Sequence, residues 1–370
     1  MPTFSQPLLD HVATAALDYY MNKGTAFQQA IAEKPLLAMM ESKKKTFPGG
    51  KGDIVIAVKG DYGNTPLGTN DKLVGYQLED SVPYYTPANL KQARYPWKEM
   101  HIGITLTHSE LKADGISVVD TNGESTSDHS DRDATVLVGL LDDALQDVGE
   151  RYATSLNALL WGNGTVDTKA LSGLSGLITD TPGTGIVAGI NRATATWWRN
   201  RAWTITMGTA VGTTPALGAW GGGPITSNAA NGGALITKLQ SEYRQLTKYG
   251  AKPNTGLCGS DWLGAIEGEL RANGNYSMQG FASGKDISVG AISYMGTDFE
   301  YDPTLDALGY SKRCYWWDNR DIYLVAMQDE WRHQHSPSRP PDKYVLYRGI
   351  TSTGQLCARR LNGAVVMEIA

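Results

Sequence analysis

DRDATVLVGLLDDALQDVGERYATSLNALLW, residues 131–161, decides how the rest of the chain is read. Leu137, Leu141, Ala144, Leu145, Val148, Tyr152, Leu156, Leu159 and Leu160 recur at helical spacing and give the segment one apolar face. Ser130 or Asp131 offers an N-cap, and Asp131 and Asp133 lie at the positive end of the helix dipole. Gly162 and Gly164 supply the stop. At 1.5 Å per residue the predicted helix is roughly 45 Å long. The mean globular helix has only about 11–12 residues, so this one runs along the length of something.

Upstream, residues 1–46 read as an arm. Leu8, Leu9, Val12, Ala16 and Tyr19 repeat at helical spacing, as do Phe27, Ala30, Ile31, Leu36, Leu37 and Met40. Pro35 limits the second helix, and Lys43-Lys44-Lys45 reads as a solvated helix end suited to the dipole. Residues 47–112 read as a long β-hairpin. Asp53–Lys59 (DIVIAVK) is strand-like, and Glu99–Thr107 alternates, with Met100, Ile102, Ile104 and Leu106 on one face. Between them Gly60–Gly75 (GDYGNTPLGTNDKLVG) has too few apolar residues for a core of its own, and docking on a neighbour would explain it.

Downstream, a Gly/Thr-rich stretch leads to two amphipathic helices. Gly233–Tyr249 carries Leu235, Ile236, Leu239, Tyr243 and Leu246, and Gly250 closes it; Ser260–Ala272 carries Trp262, Leu263, Ile266 and Leu270. Thr255–Cys258 between them reads as a short strand. The rest is mostly β over 287–301, 312–329 and 343–369, with Pro337, Pro340 and Pro341 breaking the chain before a last hairpin. The class is α+β.

The 370 residues carry a net charge of −5, so no basic field draws the whole molecule onto nucleic acid. Ten Trp and eighteen Tyr outnumber five Phe, and aromatics with a polar edge suit surfaces that end against partners. Charge is unevenly placed. Residues 131–163 hold six acids and two bases, whereas 331–370 hold six bases (Arg332, Arg339, Lys343, Arg348, Arg359, Arg360) and two acids, an opposition that favours docking within one chain or between copies. The N-terminus has no signal-peptide pattern, and no apolar run reaches transmembrane length.

Chemistry-bearing motifs fail on inspection. Gly173-Leu174-Ser175-Gly176-Leu177 lacks the second outer glycine of a nucleophile elbow. Gly183–Gly189 misses the dinucleotide spacing by one residue. His333 and His335 would share a face if extended and could hold zinc, but no third ligand is nearby in sequence, so solvated or structural histidines are the reading. Asp142-Asp143 and Glu267/Glu269 are carboxylate pairs; the first reads as a solvated or interface flank, and the second is placed opposite Leu263 and Ile266. Of Trp197-Trp198 and Trp316-Trp317, alternation turns one of each pair inward. Cys258, Cys314 and Cys357 lie far apart and read as reduced, buried thiols. No catalytic, cofactor or metal residue is assigned.

Three stretches carry a resemblance: Leu73–Asp80 (LVGYQLED), where a Gly precedes acids; Gly173–Arg199 (GLSGLITDTPGTGIVAGINRATATWWR), where a Gly-rich passage leads to Gly-Ile-Asn-Arg and an aromatic pair; and Gly354-Gln355-Leu356 through Asn362-Gly363-Ala364-Val365-Val366. Together with the order of parts, the chain resembles the major capsid protein family of tailed bacteriophages, with the HK-ninety-seven-like fold. The resemblance implies an N-terminal arm over 1–46 and an extended β-hairpin (E-loop) over 47–112. It implies a P domain over 113–172 with its spine helix at 131–161, an A domain over 173–330, and terminal strands over 331–370 that return to the P domain. It further implies a shell of hexamers and pentamers around packaged double-stranded DNA, assembled in the host cytoplasm, with a separate scaffolding protein, portal and decoration protein as possible partners, and no cofactor, membrane or enzymatic activity. Subunit-interface candidates are Leu67, Leu73, Val74, Tyr76 and Trp97 from the hairpin region, Asp142 and Asp143 from the spine, and Arg359 and Arg360 from the closing segment. An encapsulin-like nanocompartment shell shares the fold and is the alternative. A carbohydrate-active enzyme using the tryptophans and acids, and a phage tail or decoration protein, are more distant ones.

Overall fold

The computed structural model describes residues 3–4, 34–48, 52–60, 75–81, 90–107, 117–118, 148–208, 220–227, 234–272, 292–335 and 345–370. The predicted helix around Leu8–Tyr19, the first half of the predicted long helix, and the proline cluster at 337–341 lie outside those residues. In chain order the elements are α1 (Pro35–Ser42), β1 (Lys45–Phe47), β2 (Asp53–Lys59), β3 (Leu90–Pro96), β4 (Lys98–Thr107), α2 (148–161), β5 (Ile186–Val187), β6 (Ile190–Asn191), β7 (Arg201–Trp203) and β8 (Gly221–Gly222). They continue with α3 (Ala234–Lys248), β9 (Thr255–Cys258), α4 (Ser260–Ala272), β10 (Ile292–Tyr294), β11 (Thr297–Tyr301), β12 (Arg313–Trp317), β13 (Ile322–Met327), β14 (His333–Gln334), β15 (Val345–Ala358) and β16 (Val365–Glu368).

A mixed seven-stranded sheet runs β8-β7-β16-β12-β9-β11-β10. Its middle strands are buried along their whole length because both faces are covered. On one face Cys258, Phe299, Cys314, Trp316, Val365 and Met367 meet Leu235, Leu239 and Leu246 of α3 and Trp262 and Ile266 of α4. On the other, Leu257, Tyr315, Trp317 and Val366 share a core with α1, α2, the β2–β3 hairpin and the second sheet. That second sheet is built on β15, which pairs β4 over Val345–Gly354 and β13 over Gly354–Ala358, with β14 and β1 completing it.

The described part of the long helix behaves as its stripe predicts. Val148, Tyr152, Leu156 and Leu160 are buried, and Thr154 and Ser155 face solvent. Polar tips tie it down: the Tyr152 hydroxyl lies 2.8 Å from Ser352 Oγ, and Trp161 Nε1 donates to Asp302 at 2.9 Å. α4 spans the predicted residues. α3 ends at Lys248 and turns out at Gly250, whose φ of +78° is the left-handed conformation a glycine supplies.

Five expectations need correction. Pro35 opens α1 after a non-helical Lys34, so the predicted run from Phe27 to Met40 is not one helix: Pro35 stands in the first turn, where its missing N–H costs nothing. The partner of Asp53–Lys59 is Leu90–Pro96, in register from Asp53↔Pro96 to Lys59↔Leu90. Glu99–Thr107 lies in β4, which leaves the hairpin after Pro96 and pairs with β15. The closing segments form no hairpin, because β15 and β16 join different sheets. Trp316 and Trp317 are both fully buried, since a strand covered on two faces has no outward side, whereas Trp198 is buried and Trp197 only half so. Finally, Glu269 is not opposite Ile266. Three residues on, it shares that face, is 1% exposed, and accepts the N–H groups of Leu235 and Ile236 at the start of α3.

Candidate subunit interface

The β2–β3 hairpin shows one face to the core and the other to solvent. Ile54, Val58, Ala93 and Tyr95 point inward, whereas Val55 and Leu90 are 51% and 65% exposed. Tyr95 is the anchor: its hydroxyl donates to Ala358 O and accepts from Ala358 N, both at 3.1 Å, and burial pushes the phenol far above its ordinary pKa. A second tie comes from the β5–β6 hairpin, where Ala188 and Gly189 both take positive φ (54° and 77°) and make a tight turn. Ala188 O accepts from Arg94 N at 2.9 Å, and Val187 O accepts from Trp198 Nε1 at 3.2 Å. Arg192, directly after β6, is fully buried and donates to Leu177 O and Thr179 Oγ1; burial lowers its guanidinium pKa to about 10. The Gly-Ile-Asn-Arg stretch is thus a fixed buttress under the hairpin root.

Beside the loop-side end of β2 lies a cleft of about 590 Å³, lined by Lys59, Trp197, Asp321, Arg359, Arg360 and Asn362 among others. Arg360 Nε is 3.6 Å from Asp321 Oδ2, and its Nη1 donates to Tyr249 O at 2.9 Å. Burial raises the Asp321 pKa, against the pull of Arg360. Arg359 is exposed, and its backbone N–H donates to Asp321 O at 2.8 Å. Lys59, Arg359 and Arg360 thus share the cleft with one carboxylate, Asp321, and the Trp197 indole.

The outer part of the hairpin is described at 75–81. Gln77 N donates to Asp80 Oδ2 (2.8 Å) and Asp80 N to Gln77 O (3.0 Å), closing a turn. That turn carries Glu79 and Asp80 and holds Tyr76 at 70% and Leu78 at 103% exposure.

Neither a protein-family model nor a curated protein sequence matches the chain. Solved structures do. The cyanophage A-1(L) capsid asymmetric unit superimposes over 91% of this chain and 92% of its own at a TM-score of 0.60, with 13% identity. The chain has the phage capsid fold. At that identity the likeness is one of fold. The Mycobacterium phage Ogopogo structure (TM-score 0.46, 10% identity, 90% of this chain and 91% of its own) and the capsid of the native GTA particle (0.46, 13%, 90% of each) were also found.

On this capsid fold the predicted interface residues scatter. Tyr76 is exposed on the turn, and Arg359 and Arg360 meet at the cleft. Trp97 is half-buried against the core, its ring 6.4 Å from Phe47. Leu67, Leu73, Val74, Asp142 and Asp143 lie outside the described residues. The charge opposition is partly spent elsewhere: Arg332 pairs with Glu41 of α1 at 3.0 Å, and of the six acids in 131–163 only Glu150, exposed, is described. Of the lysine run, Lys43 and Lys45 are exposed, as expected, and Lys44 is half-buried; Lys45 Nζ rests 3.6 Å from the Tyr323 ring centre. His333 and His335 stack edge-on at 5.0 Å, and among the described residues no group of three metal-ligating side chains converges. Val55, Leu78 and Leu90 were missed; their signal was an apolar residue on the outward beat of an alternating strand or in a turn. Among the described residues no helix is long and apolar enough to cross a membrane.

Proposed function

We propose that the chain is the major capsid protein of a tailed bacteriophage, a structural subunit without catalytic activity that assembles as hexamers and pentamers into an icosahedral head around double-stranded DNA. The observation that carries this is the capsid fold over nine-tenths of the chain. The exposed hairpin surface supports it, since apolar groups at Val55, Tyr76, Leu78 and Leu90 gain burial only in contact with another copy. The arm, E-loop, P domain and A domain follow one another in the order given above, with the paired strands of the E-loop confined to Asp53–Pro96. In this reading the acidic turn at Glu79 and Asp80 and the basic cleft at Lys59, Arg359 and Arg360 are the complementary surfaces that copies present to each other. A net charge of −5 suits a container, because a strongly basic lining would hold phosphates and slow DNA entry. Assembly takes place in the host cytoplasm and ends in the virion, with scaffold, portal and decoration proteins as separate chains. Negative-stain microscopy and light scattering on the purified chain, alone and co-expressed with a scaffold, test it. Closed shells are expected; a monomer at high concentration under both conditions overturns it.

A further inference from the structure

The three cysteines stand far apart in sequence, but the central sheet brings two of them face to face. β9 and β12 are antiparallel, and Cys258 is the register partner of Cys314. Gly259 N donates to Arg313 O at 3.0 Å, which makes the adjacent pair the hydrogen-bonded one and leaves 258/314 as a non-hydrogen-bonded pair. At such sites the Cα atoms sit about 4.5 Å apart with their side chains close, and a disulfide spans Cα separations of about 4.4–6.8 Å. Both thiols are 0% exposed and face the core beside Trp316 and Trp262. Cys357 differs: it is buried on β15 opposite Tyr323, with no thiol across from it.

We propose that Cys258 and Cys314 form a latent cross-strand disulfide, open while the chain is in a thiol-rich compartment and closed by a small-molecule disulfide outside it. One thiol loses its proton and attacks a sulfur of the oxidant, expelling one small thiol. The second thiol then attacks the mixed disulfide and expels the other. Two protein thiols and one small disulfide become one protein disulfide and two small thiols. Burial slows the first step, because the thiolate is the nucleophile. Burial, then the hydrogen bond and charge of Cys258, hold the Cys314 thiol well above its ordinary pKa. Closure therefore waits on transient opening of the sheet, and once made it staples the two central strands and the loop between them, which includes α4, β10 and β11. A shell that leaves its host would pass from the open to the closed condition.

The test uses the purified full-length chain and oxidised glutathione across sub-denaturing urea, followed by acid quench, alkylation in guanidinium and peptide mapping. The expected product has a linked Cys258/Cys314 peptide, a single alkylated thiol at Cys357, a rate that climbs with urea, and a Tm raised by several degrees. Cys357→Ala should close as the natural chain does, and Cys258→Ala should show no gain in Tm. Three alkylated thiols after full exposure, glutathione adducts without closure, or pairs involving Cys357 would overturn the proposal. The natural chain's peptide map decides even where a cysteine variant misfolds. The readout does not need particles, so it stands apart from the shell reading.

Discussion

Strand β12 and the β2–β3 hairpin both carry apolar and aromatic residues on an extended backbone, yet they end differently. Arg313–Trp317 has helices on one side and a second core on the other, and every side chain is buried. Asp53–Lys59 and Leu90–Pro96 have a core on one side only, so Val55 and Leu90 stay in water. The first arrangement completes itself within one chain. The second leaves apolar side chains uncovered. Burial of a Val or Leu side chain is worth about 1.5–3 kcal/mol, so the hairpin holds unspent driving force for association, whereas the strand holds none.

The largest expected effect comes from placing a charge in the covered region. Leu156 is 3% exposed on the α2 face that packs under β12. Leu156→Asp buries a carboxylate without a partner, a loss of more than about 4 kcal/mol, enough to prevent folding. Thr154→Asp, two residues away on the exposed face, should stay within about 0.5 kcal/mol of the natural chain. Circular dichroism and urea melts on both measure the contrast. Equal stabilities would mean that α2 is not covered as described.

A smaller effect is expected at the edge of the covered region. Lys238 of α3 lies over the Trp203 ring, 3.8 Å from the fully buried Glu242, which Arg201 also binds. Burial lowers its pKa to about 8 from 10.5, with Glu242 pulling up and Arg201 pushing down. Between these values the unfolded chain binds more protons than the folded one, so stability should rise with pH from about 8 to 10.5. Lys238→Met should flatten that rise and stabilise the chain at neutral pH, by about 2 kcal/mol after allowance for its partial exposure. Melts of both chains from pH 7 to 11 check it; parallel curves would mean that Lys238 is not desolvated in the fold.

Local periodicity was enough for the helices. Trp262, Leu263, Ile266 and Leu270 specify Ser260–Ala272 without outside help. It was not enough for pairing, because nothing near Lys98–Thr107 points to a partner at Val345–Gly354, more than two hundred residues on. Alternation also assumes one wet face, which is why it turned only one of Trp316 and Trp317 inward. Glu269 is a case where the signal was present: i+3 from Ile266 places it on the buried face, and a carboxylate there needs N–H donors, which α3 supplies. Arg359 and Arg360 were legible as surplus charge. The cleft they line draws on the loop-side end of β2, the Trp197 turn, Tyr249 and Asp321, and no local pattern announces a site built from that many segments.

The smallest effect on the fold, and the largest on assembly, is expected at the outer part of the hairpin. Tyr76 and Leu78 are 70% and 103% exposed, so Tyr76→Ser with Leu78→Ser removes almost no burial from the isolated subunit. Its melt should shift by less than about 0.5 kcal/mol. If the turn docks on a neighbour, the same pair of changes removes on the order of 3–6 kcal/mol at every contact of that kind, and the loss recurs with each copy. Deleting residues 61–75 should act in the same direction, since that stretch also carries Leu67, Leu73 and Val74. Both variants should keep the natural helical signal and cooperative melt yet fail to give stable particles by electron microscopy. The two readouts must separate for the contrast between strand and hairpin to hold. Particles of normal yield and stability from both variants would make the hairpin a surface loop, and the association energy would then have to come from Val55, Leu90 and the cleft alone.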